Sequence, residues 1–271
     1  MKKFHIGYIP GIYDMFNISH LNDLKNAKAQ CERLIVGLYT DKYLVDCGVQ
    51  PPLIQYADRK RIVQSIQYVD DVLPHNSDDY NDIYNKCYYD VVFVGNEICS
   101  PFLNEQVIEN KCIVSLAKDY FSSRFVLETP QTPIYGKNVG YTTGVFDMFH
   151  IGHLNIIERA KEYCDYLIVG VSTDENVENY KHKRPVVPFE ERASIIQSLR
   201  FVDAVVPQTN MDKLAAWENL HFNIMFHGDD WKGSVMYNDV EAKLNAVGCV
   251  TKYLPHTDGI STSLLREKLS I

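Results

Sequence analysis

The stretch YTTGVFDMFHIGHLN, residues 141–155, is nearly spelled once before, as YIPGIYDMFNISHLN at residues 8–22. The likeness runs well beyond that phrase. A shift of 133 positions carries Gly7 onto Gly140, Asp14 onto Asp147, His20 onto His153, Cys31 onto Cys164, Asp41 onto Asp174, Arg59 onto Arg192, Asp70 onto Asp203, Pro74 onto Pro207 and Gly95 onto Gly228, without a gap. Two copies at so long a period mean a duplicated domain rather than a solenoid of short repeats. A chain of 271 residues can supply two small cores. Domains are therefore expected at 1–130 and 139–271. The stretch between them, TPQTPIYGKN at 129–138, has two prolines and a glycine, and residues 131–138 read as the linker.

Within each copy, short apolar runs alternate with segments of helical period. In the second, a strand leads through TTG into a helix from about 152 to 163. YLIVGVST follows as a buried strand, FEERASIIQSLRFV as a helix, DAVVP as a strand, FNIMFHG and CVTKYL as further strands, and STSLLREKL as a closing helix. Strands alternating with helices imply an α/β fold in which a parallel sheet is covered on both faces, and ligands of such sheets bind at the carboxyl ends of the strands. Each copy should be a Rossmann-like domain.

Composition narrows the function classes. A net charge of -8 argues against nucleic acid as a partner of the whole surface, though not against a local basic pocket. No run of 18 apolar residues occurs, so no membrane span is expected, and the N-terminus has no secretory h-region; a cytoplasmic protein is the expectation. The seven cysteines form no C-x-x-C pair, which points to reduced thiols and to no zinc site.

The first site candidate is HIGH, His150 to His153, where the first strand of the second copy gives way to a helix. Two histidines three apart in a first helical turn face the same way, and a helix N-terminus favours anions. A phosphate is one reading; a capping or packing pair, or half of a metal site, are the others. Lys181 and Lys183 in YKHKRP form either an anion-binding loop or a solvated one. Arg192 and Arg200 are eight apart on the expected helix, hence on one face. HGDDW, 227–231, follows an apolar strand and so falls on the carboxyl rim, and GISTS, 259–263, precedes the last helix as a second anion-binding start or a plain N-cap.

GVFDMFHIGH resembles the H-x-G-H signature of the nucleotidyltransferase superfamily, and STDE, RPVVPFEERASIIQSLRFVDAVV, HGDDW and HTDGISTS are similar, in order and spacing, to the cytidylyltransferases, most closely the glycerol-3-phosphate cytidylyltransferases. The match covers nearly all of 139–271. Class I aminoacyl-tRNA synthetases also carry HIGH, but no KMSKS occurs here, and neither a Walker-type nor a G-x-G-x-x-G loop is present. The resemblance implies transfer of a cytidylyl group from CTP to a small phosphorylated alcohol, with Mg2+ expected alongside CTP and no metal bound by protein side chains. It assigns His150, His153, Lys181 and Arg200 to the reacting phosphates. Gly144, Phe146, Lys183, Arg192, Gly228, Asp229, Asp230, Trp231, His256, Gly259, Ile260, Ser261, Thr262 and Ser263 would line the nucleotide, and Asp147, Arg200 and Trp231 the acceptor. The G-D-D-W form is characteristic of the glycerol-phosphate enzymes; enzymes for phosphoethanolamine or phosphocholine, the alternative, usually write this stretch differently, and an adenylyltransferase comes third. One departure stands out: the family's arginine before T-[ED]-G-I-S-T-T is His256 here, and histidine, unlike arginine, is charged only part of the time near neutrality.

At the same shift the first copy has Asn17 for His150, Ser19 for Gly152, Gly48 and Gln50 for Lys181 and Lys183, Gln67 for Arg200, and Asn96, Glu97 and Ile98 for Asp229, Asp230 and Trp231. Apolar strands, Asp14, His20 and Arg59 persist. The first copy is expected to be catalytically silent, pairing with the second as family dimers do, within one chain. A nucleotide-sensing protein without turnover would be the expectation had both copies lost these groups.

Overall fold

In the computed structural model the residues described are 2–77, 80–95, 112–116, 127 and 130–270. The chain divides into two compact units, residues 1–123 and 124–271. The first contains β1 (Phe4–Gly11), α1 (Ile18–Gln30), β2 (Cys31–Tyr39), α2 (Asp41–Asp46), α3 (Tyr56–Ser65), β3 (Asp71–His75), α4 (Tyr80–Cys87), β4 (Val91–Val94) and β5 (Cys112–Ser115). The second contains β6 (Val139–Gly144), α5 (Ile151–Lys161), β7 (Tyr166–Ser172), α6 (Asp174–Lys181), α7 (Phe189–Gln197), β8 (Ala204–Gln208), α8 (Lys213–Leu220), β9 (Ile224–Gly228), α9 (Val235–Ala246), β10 (Val250–Leu254) and α10 (Thr262–Leu269). Each unit is built on a five-stranded sheet, ordered β3-β2-β1-β4-β5 in one and β8-β7-β6-β9-β10 in the other. All recorded pairings are parallel. The duplication is thus one of topology as well as of sequence.

The segment expected as a linker belongs with the second unit. Thr132 Oγ1 donates to Asn219 O at 2.7 Å, and Ile134 packs against the core formed by Val139, Tyr141, Ile168, Phe222 and Met225. Its proline and glycine mark irregular backbone, and its apolar side chains decide where that backbone lies.

β7 is buried from Leu167 to Ser172, as a central strand covered on both faces requires. α5 buries Ile151, Leu154, Ile157 and Ala160, one stripe at helical spacing. The helix expected over 189–202 stops at Gln197. The reason is the aspartate that follows: Asp203 Oδ2 accepts from Leu167 N at 2.7 Å and from Lys161 Nζ at 2.5 Å, which draws residues 198–203 down onto β7 before the helix can add a turn. Asp70 does the same for the first unit, accepting from Leu34 N and Lys28 Nζ. Among the described residues no helix is long and apolar enough to cross a membrane. Cys31, Cys87 and Cys249 are buried thiols, Cys164 is half-buried and Cys47 is exposed; Cys99 and the side chain of Cys112 lie outside the described residues.

Both sheets run their first strand past the following helix–strand corner at a glycine. A Cβ on Gly140 would stand 2.6 Å from both Cys164 Sγ and the Phe226 ring, and one on Gly7 would meet Phe93 and Cys31. Gly140→Ala should therefore destabilise the chain by about 1–3 kcal/mol, the usual cost of overpacking, measured as a lowered urea midpoint at constant slope.

Candidate active site

The strand order reverses between β6 and β9, which pair directly from Gly140 with Ile224 to Thr142 with Phe226. That is the topological switch point at which open α/β sheets bind ligands. HIGH leaves β6 and GDDW leaves β9, so the switch point explains why two stretches far apart in sequence share one rim.

From β6 the chain turns into α5 through two residues in the left-handed region, Phe146 (φ 54) and Met148 (φ 50). Neither is glycine and both are buried, so the surrounding structure holds a conformation that costs energy locally. The turn delivers His150 to the N-cap position, where its Nδ1 accepts from Gly152 N at 3.1 Å. An accepting Nδ1 leaves the neutral ring's proton on Nε2. The His150 and His153 rings stack with centroids 3.8 Å apart, and Phe146 and Phe149 close around His153 at 5.4 and 5.9 Å. A Cβ on Gly152 would lie 3.0 Å from the His150 ring. The glycine of H-x-G-H is there because an imidazole stands over the turn.

The first unit shows the same turn without the ring. Tyr13 (φ 55) and Met15 (φ 46) repeat the left-handed pair, but Asn17 now caps α1, and with no ring overhead Ser19 has the room that a side chain at Gly152 would lack. His20 Nδ1 accepts from Asn17 N at 3.2 Å and completes a capping box. His153 Nδ1, by contrast, is buried with no hydrogen-bond partner among the described residues. The shared histidine is structural in one copy and uncommitted in the other. Tyr13 and Phe16 cover His20 at 5.2 and 5.5 Å, and only about 10 Å³ remains between Tyr13, His20 and the buried Asp23.

Cations gather around the His150–His153 pair. Burial holds His150 neutral, its pKa pushed down to about 4, with His256 adding to the effect. Burial, His150 and Lys181 hold His153 well below the usual histidine range. Lys181 is itself lowered, first by burial, then by Lys183 and Arg266, with Asp147 opposing. Basic groups from three segments, the Lys181–Lys183 loop, His256 and Arg266, thus act on this buried imidazole pair or on one another. An anion is the ligand such a field favours.

The remaining rim residues tie these segments together. Asp229 Oδ1 accepts from His256 N at 3.0 Å, joining GDDW to the segment before α10. Asp230 lies where a Cβ on Gly228 would project. Trp231 is half exposed with its ring 4.8 Å from Tyr237. Gly144 faces the Phe146 ring, and Ile260 faces Gly152. Gly259 takes φ +80; Ser261 caps α10 by accepting from Leu264 N, Thr262 Oγ1 donates to Asp147 O at 3.0 Å, and Ser263 is exposed.

Three expected site residues are placed differently. Arg192 is 1% exposed, and its guanidinium is spent on the carbonyls of Val187 and Val145 and on Asp174 Oδ1. Arg59 makes the equivalent contacts with Ile54, Ile12, Tyr39 and Asp41 in the first copy. This arginine braces loops. Asp147 likewise accepts from Val186 N and Val187 N, both at 2.9 Å, as Asp14 accepts from Leu53 and Ile54. It positions the lysine loop, and its buried oxygens are already engaged. Arg200 is exposed and lies beyond the end of α7, so it shares no helix face with Arg192. Asn96, Glu97 and Ile98 of the first copy lie outside the described residues.

Lys213, His227 and Arg266 escape a reading of the sequence. Lys213 follows the N-cap of α8 and looks like a surface charge, yet it is 3% exposed, its Nζ has no partner among the described residues, and burial lowers its pKa to about 8. His227, beside it, is buried and lowered to about 3, by burial first and then by Lys213. Lys213 also lines a cleft of about 340 Å³ with Gln208, Thr209 and Asn210. No local signal predicts any of this, because burial of a charged residue is decided by what packs over it.

His150→Asn tests the cap against the charge. Asparagine caps helices well, so stability at pH 7 should change by less than about 1 kcal/mol. The unfolded chain binds the His150 proton near the ordinary value of 6.5, and the folded chain only near 4, so stability present above 6.5 is lost as pH falls toward 4. Melting curves across that window should be flatter for the variant; an unchanged pH dependence would remove His150 from the account.

A family model described as cytidylyltransferase-like matches residues 8–134 and again 141–268. The glycerol-3-phosphate cytidylyltransferase of Bacillus subtilis is 36% identical over 137 residues, which span 48% of this chain and 95% of that protein. The ethanolamine-phosphate cytidylyltransferase of Dictyostelium discoideum is 23% identical over an alignment of 330 positions, spanning 97% of this chain and 89% of that one. The bifunctional protein HldE of Citrifermentans bemidjiense is 36% identical over 137 residues, 27% of its length. Matched twice over and across most of its length, the chain belongs to the cytidylyltransferase-like family and is a tandem-duplicated nucleotidyltransferase.

Proposed function

We propose that the second domain transfers a cytidylyl group from CTP to glycerol 3-phosphate, giving CDP-glycerol and pyrophosphate. The observation that carries the reading is the stacked, buried His150–His153 pair at the switch point, with His256 acting on His150, Lys181 on His153, and Lys183 and Arg266 on Lys181. A phosphate oxygen of the acceptor attacks the α-phosphorus of CTP in line; the new P–O bond forms as the bond to pyrophosphate breaks. The acceptor oxygen is already anionic, so no general base is required. The chain's work is to hold two polyanions together and offset the charge on the α-phosphoryl oxygens. His150 does so through its Nε2–H, and the lysines through their ammonium groups.

Magnesium is expected with CTP, where it would neutralise charge on the leaving pyrophosphate. Among the described residues no three His, Cys, Asp or Glu side chains are grouped to hold a metal. The ion would then ride chiefly on the triphosphate, with Asp229 and Asp230 as the carboxylates the rim offers, a common arrangement for this ion.

One feature favours glycerol phosphate as acceptor, the G-D-D-W form at 228–231. Phosphoethanolamine is the second reading, favoured by the two-domain span of the Dictyostelium relative. The first domain is taken as silent, the two halves as paired within the chain, and the site of action as the cytoplasm.

Pyrophosphate release should be fastest with CTP and glycerol 3-phosphate when CTP and ATP are tested against phosphorylated alcohols; faster turnover with phosphoethanolamine overturns the acceptor, and with ATP the nucleotide. His153→Ala and Lys181→Ala should each lower kcat by about 10² to 10³, whereas His20→Ala should cost stability through the lost capping box and leave turnover nearly unchanged. Residues 136–271 expressed alone should aggregate or self-associate on light scattering; a soluble, fully active monomer would end the pairing proposal.

A further inference from the structure

The carboxyl end of the second sheet carries a buried polar layer that the transfer chemistry does not use. Residues two apart on a strand share a face. Ser172, Gln208 and His227 therefore stand on the same face as Ile168, Val206 and Met225 of the apolar core, at the ends of β7, β8 and β9. Ser172 Oγ donates to Gln208 Oε1 at 2.9 Å, and Gln208 Nε2 donates to Asn210 O at 3.0 Å. His227 and Lys213 find no such answer. His227 Nε2 and Lys213 Nζ are both buried without a partner among the described residues, and Lys213 acts on His227.

Two basic groups thus meet with no acid between them. The carboxylate that acts on Lys213 is Asp212, whose Oδ1 is engaged by the Leu214 and Ala215 amides at the start of α8. A desolvated charge without a counter-charge costs stability, and apolar residues would fill the place without that cost. In the first copy the shift of 133 positions puts Tyr80 and Val94 there. The pair belongs to the copy that carries HIGH. It is also joined to the rim: the His227 ring meets Tyr237 at 4.4 Å, Tyr237 meets Trp231 at 4.8 Å, and Asp230 acts on Tyr237. Lys213 lines two clefts, one of about 340 Å³ with Gln208 and Asn210 and one of about 280 Å³ with Tyr237. The amine is shielded from bulk water and still faces open space.

We propose that Lys213 and His227 form the subsite for the alcohol tail of the acceptor, and that the Lys213 ammonium selects the tail, donating to the hydroxyl oxygens of a polyol and repelling an amino group. The proposal rests on the cytidylyl-transfer reading above and deepens it by naming the acceptor class, a phosphorylated polyol without a cationic group. Like charges brought together in a desolvated site are strongly unfavourable, whereas a hydroxyl oxygen accepts from an ammonium and brings no charge of its own. His227, held neutral by burial, offers Nε2 to a second hydroxyl.

The test uses the full chain carrying Lys213→Met, which removes the charge, or Lys213→Gln, which removes the charge and keeps a donor. Neither melting midpoint should fall for Lys213→Met, with or without CTP, since an unpaired buried charge has been replaced by an apolar side chain. The ratio of kcat/KM for glycerol 3-phosphate to that for phosphoethanolamine, both with CTP, should drop about 10- to 100-fold in both variants. KM for glycerol 3-phosphate should rise in Lys213→Met and recover in part in Lys213→Gln, while KM for CTP stays the same. A ratio within about twofold of the unsubstituted chain, or a KM for CTP that rises as much as that for the acceptor, would overturn the proposal; so would faster turnover of 3-phosphoglycerate than of glycerol 3-phosphate by the unsubstituted chain. Release of no pyrophosphate by the unsubstituted chain with any acceptor would sink the transfer reading by itself. Calorimetric titration with glycerol 3-phosphate then decides the subsite: binding about tenfold weaker in Lys213→Met supports it, and equal binding overturns it.

Discussion

One buried carboxylate holds the site in register. Asp147 takes the Val186 and Val187 amides on its two oxygens, receives the Arg266 guanidinium, and through its carbonyl holds Thr262. Those contacts join three segments that the chain visits far apart: the turn after β6, the lysine loop before α7, and the start of α10. Charge-assisted bonds to a desolvated carboxylate are stronger than neutral ones. Arg192 completes the frame from below, bonding Val145 and Val187 on either side of the same junction. His150, Lys181 and Lys183 stand on this frame without being part of it, so they can be exchanged while the frame remains.

The first unit shows what that separation allows. Asp14 and Arg59 keep their loop contacts, and the left-handed pair Tyr13 and Met15 keeps the turn. Asn17 and Ser19 fit together: where no imidazole stands over the turn, there is room for a side chain beneath it. At the ends of the second and third strands the divergence continues. Ser172 and Gln208 hydrogen-bond to each other in the second unit, and Asn176 donates to Gln208 O. In the first, Tyr39, Tyr43 and His75 occupy those places as packed rings, with Tyr8 hydroxyl 2.7 Å from His75 Nδ1. Packed rings thus stand where the second unit has a buried network of hydroxyl and amide groups.

Much of this was legible in the sequence by itself. The repeat, the parallel α/β class, the position of HIGH at a helix start and that of GDDW on the rim follow from periodicity and from where turns must fall, since strand and helix periods are local properties of the chain. What tertiary structure decided was the use of each charge. Arg192 and Arg200 look alike along a helical stretch, yet one is sealed among carbonyls and the other is exposed, because Asp203 pulls the chain onto β7 and ends the helix between them. Asp147 resembles a ligand-facing acid until its oxygens are found on backbone amides. Lys213 and Arg266 resemble surface charges until α8 and α10 are seen to carry one into the interior and the other onto the site. A charged side chain in a sequence has no partner; burial and distance assign one, and both depend on residues brought near only when the sheet has formed.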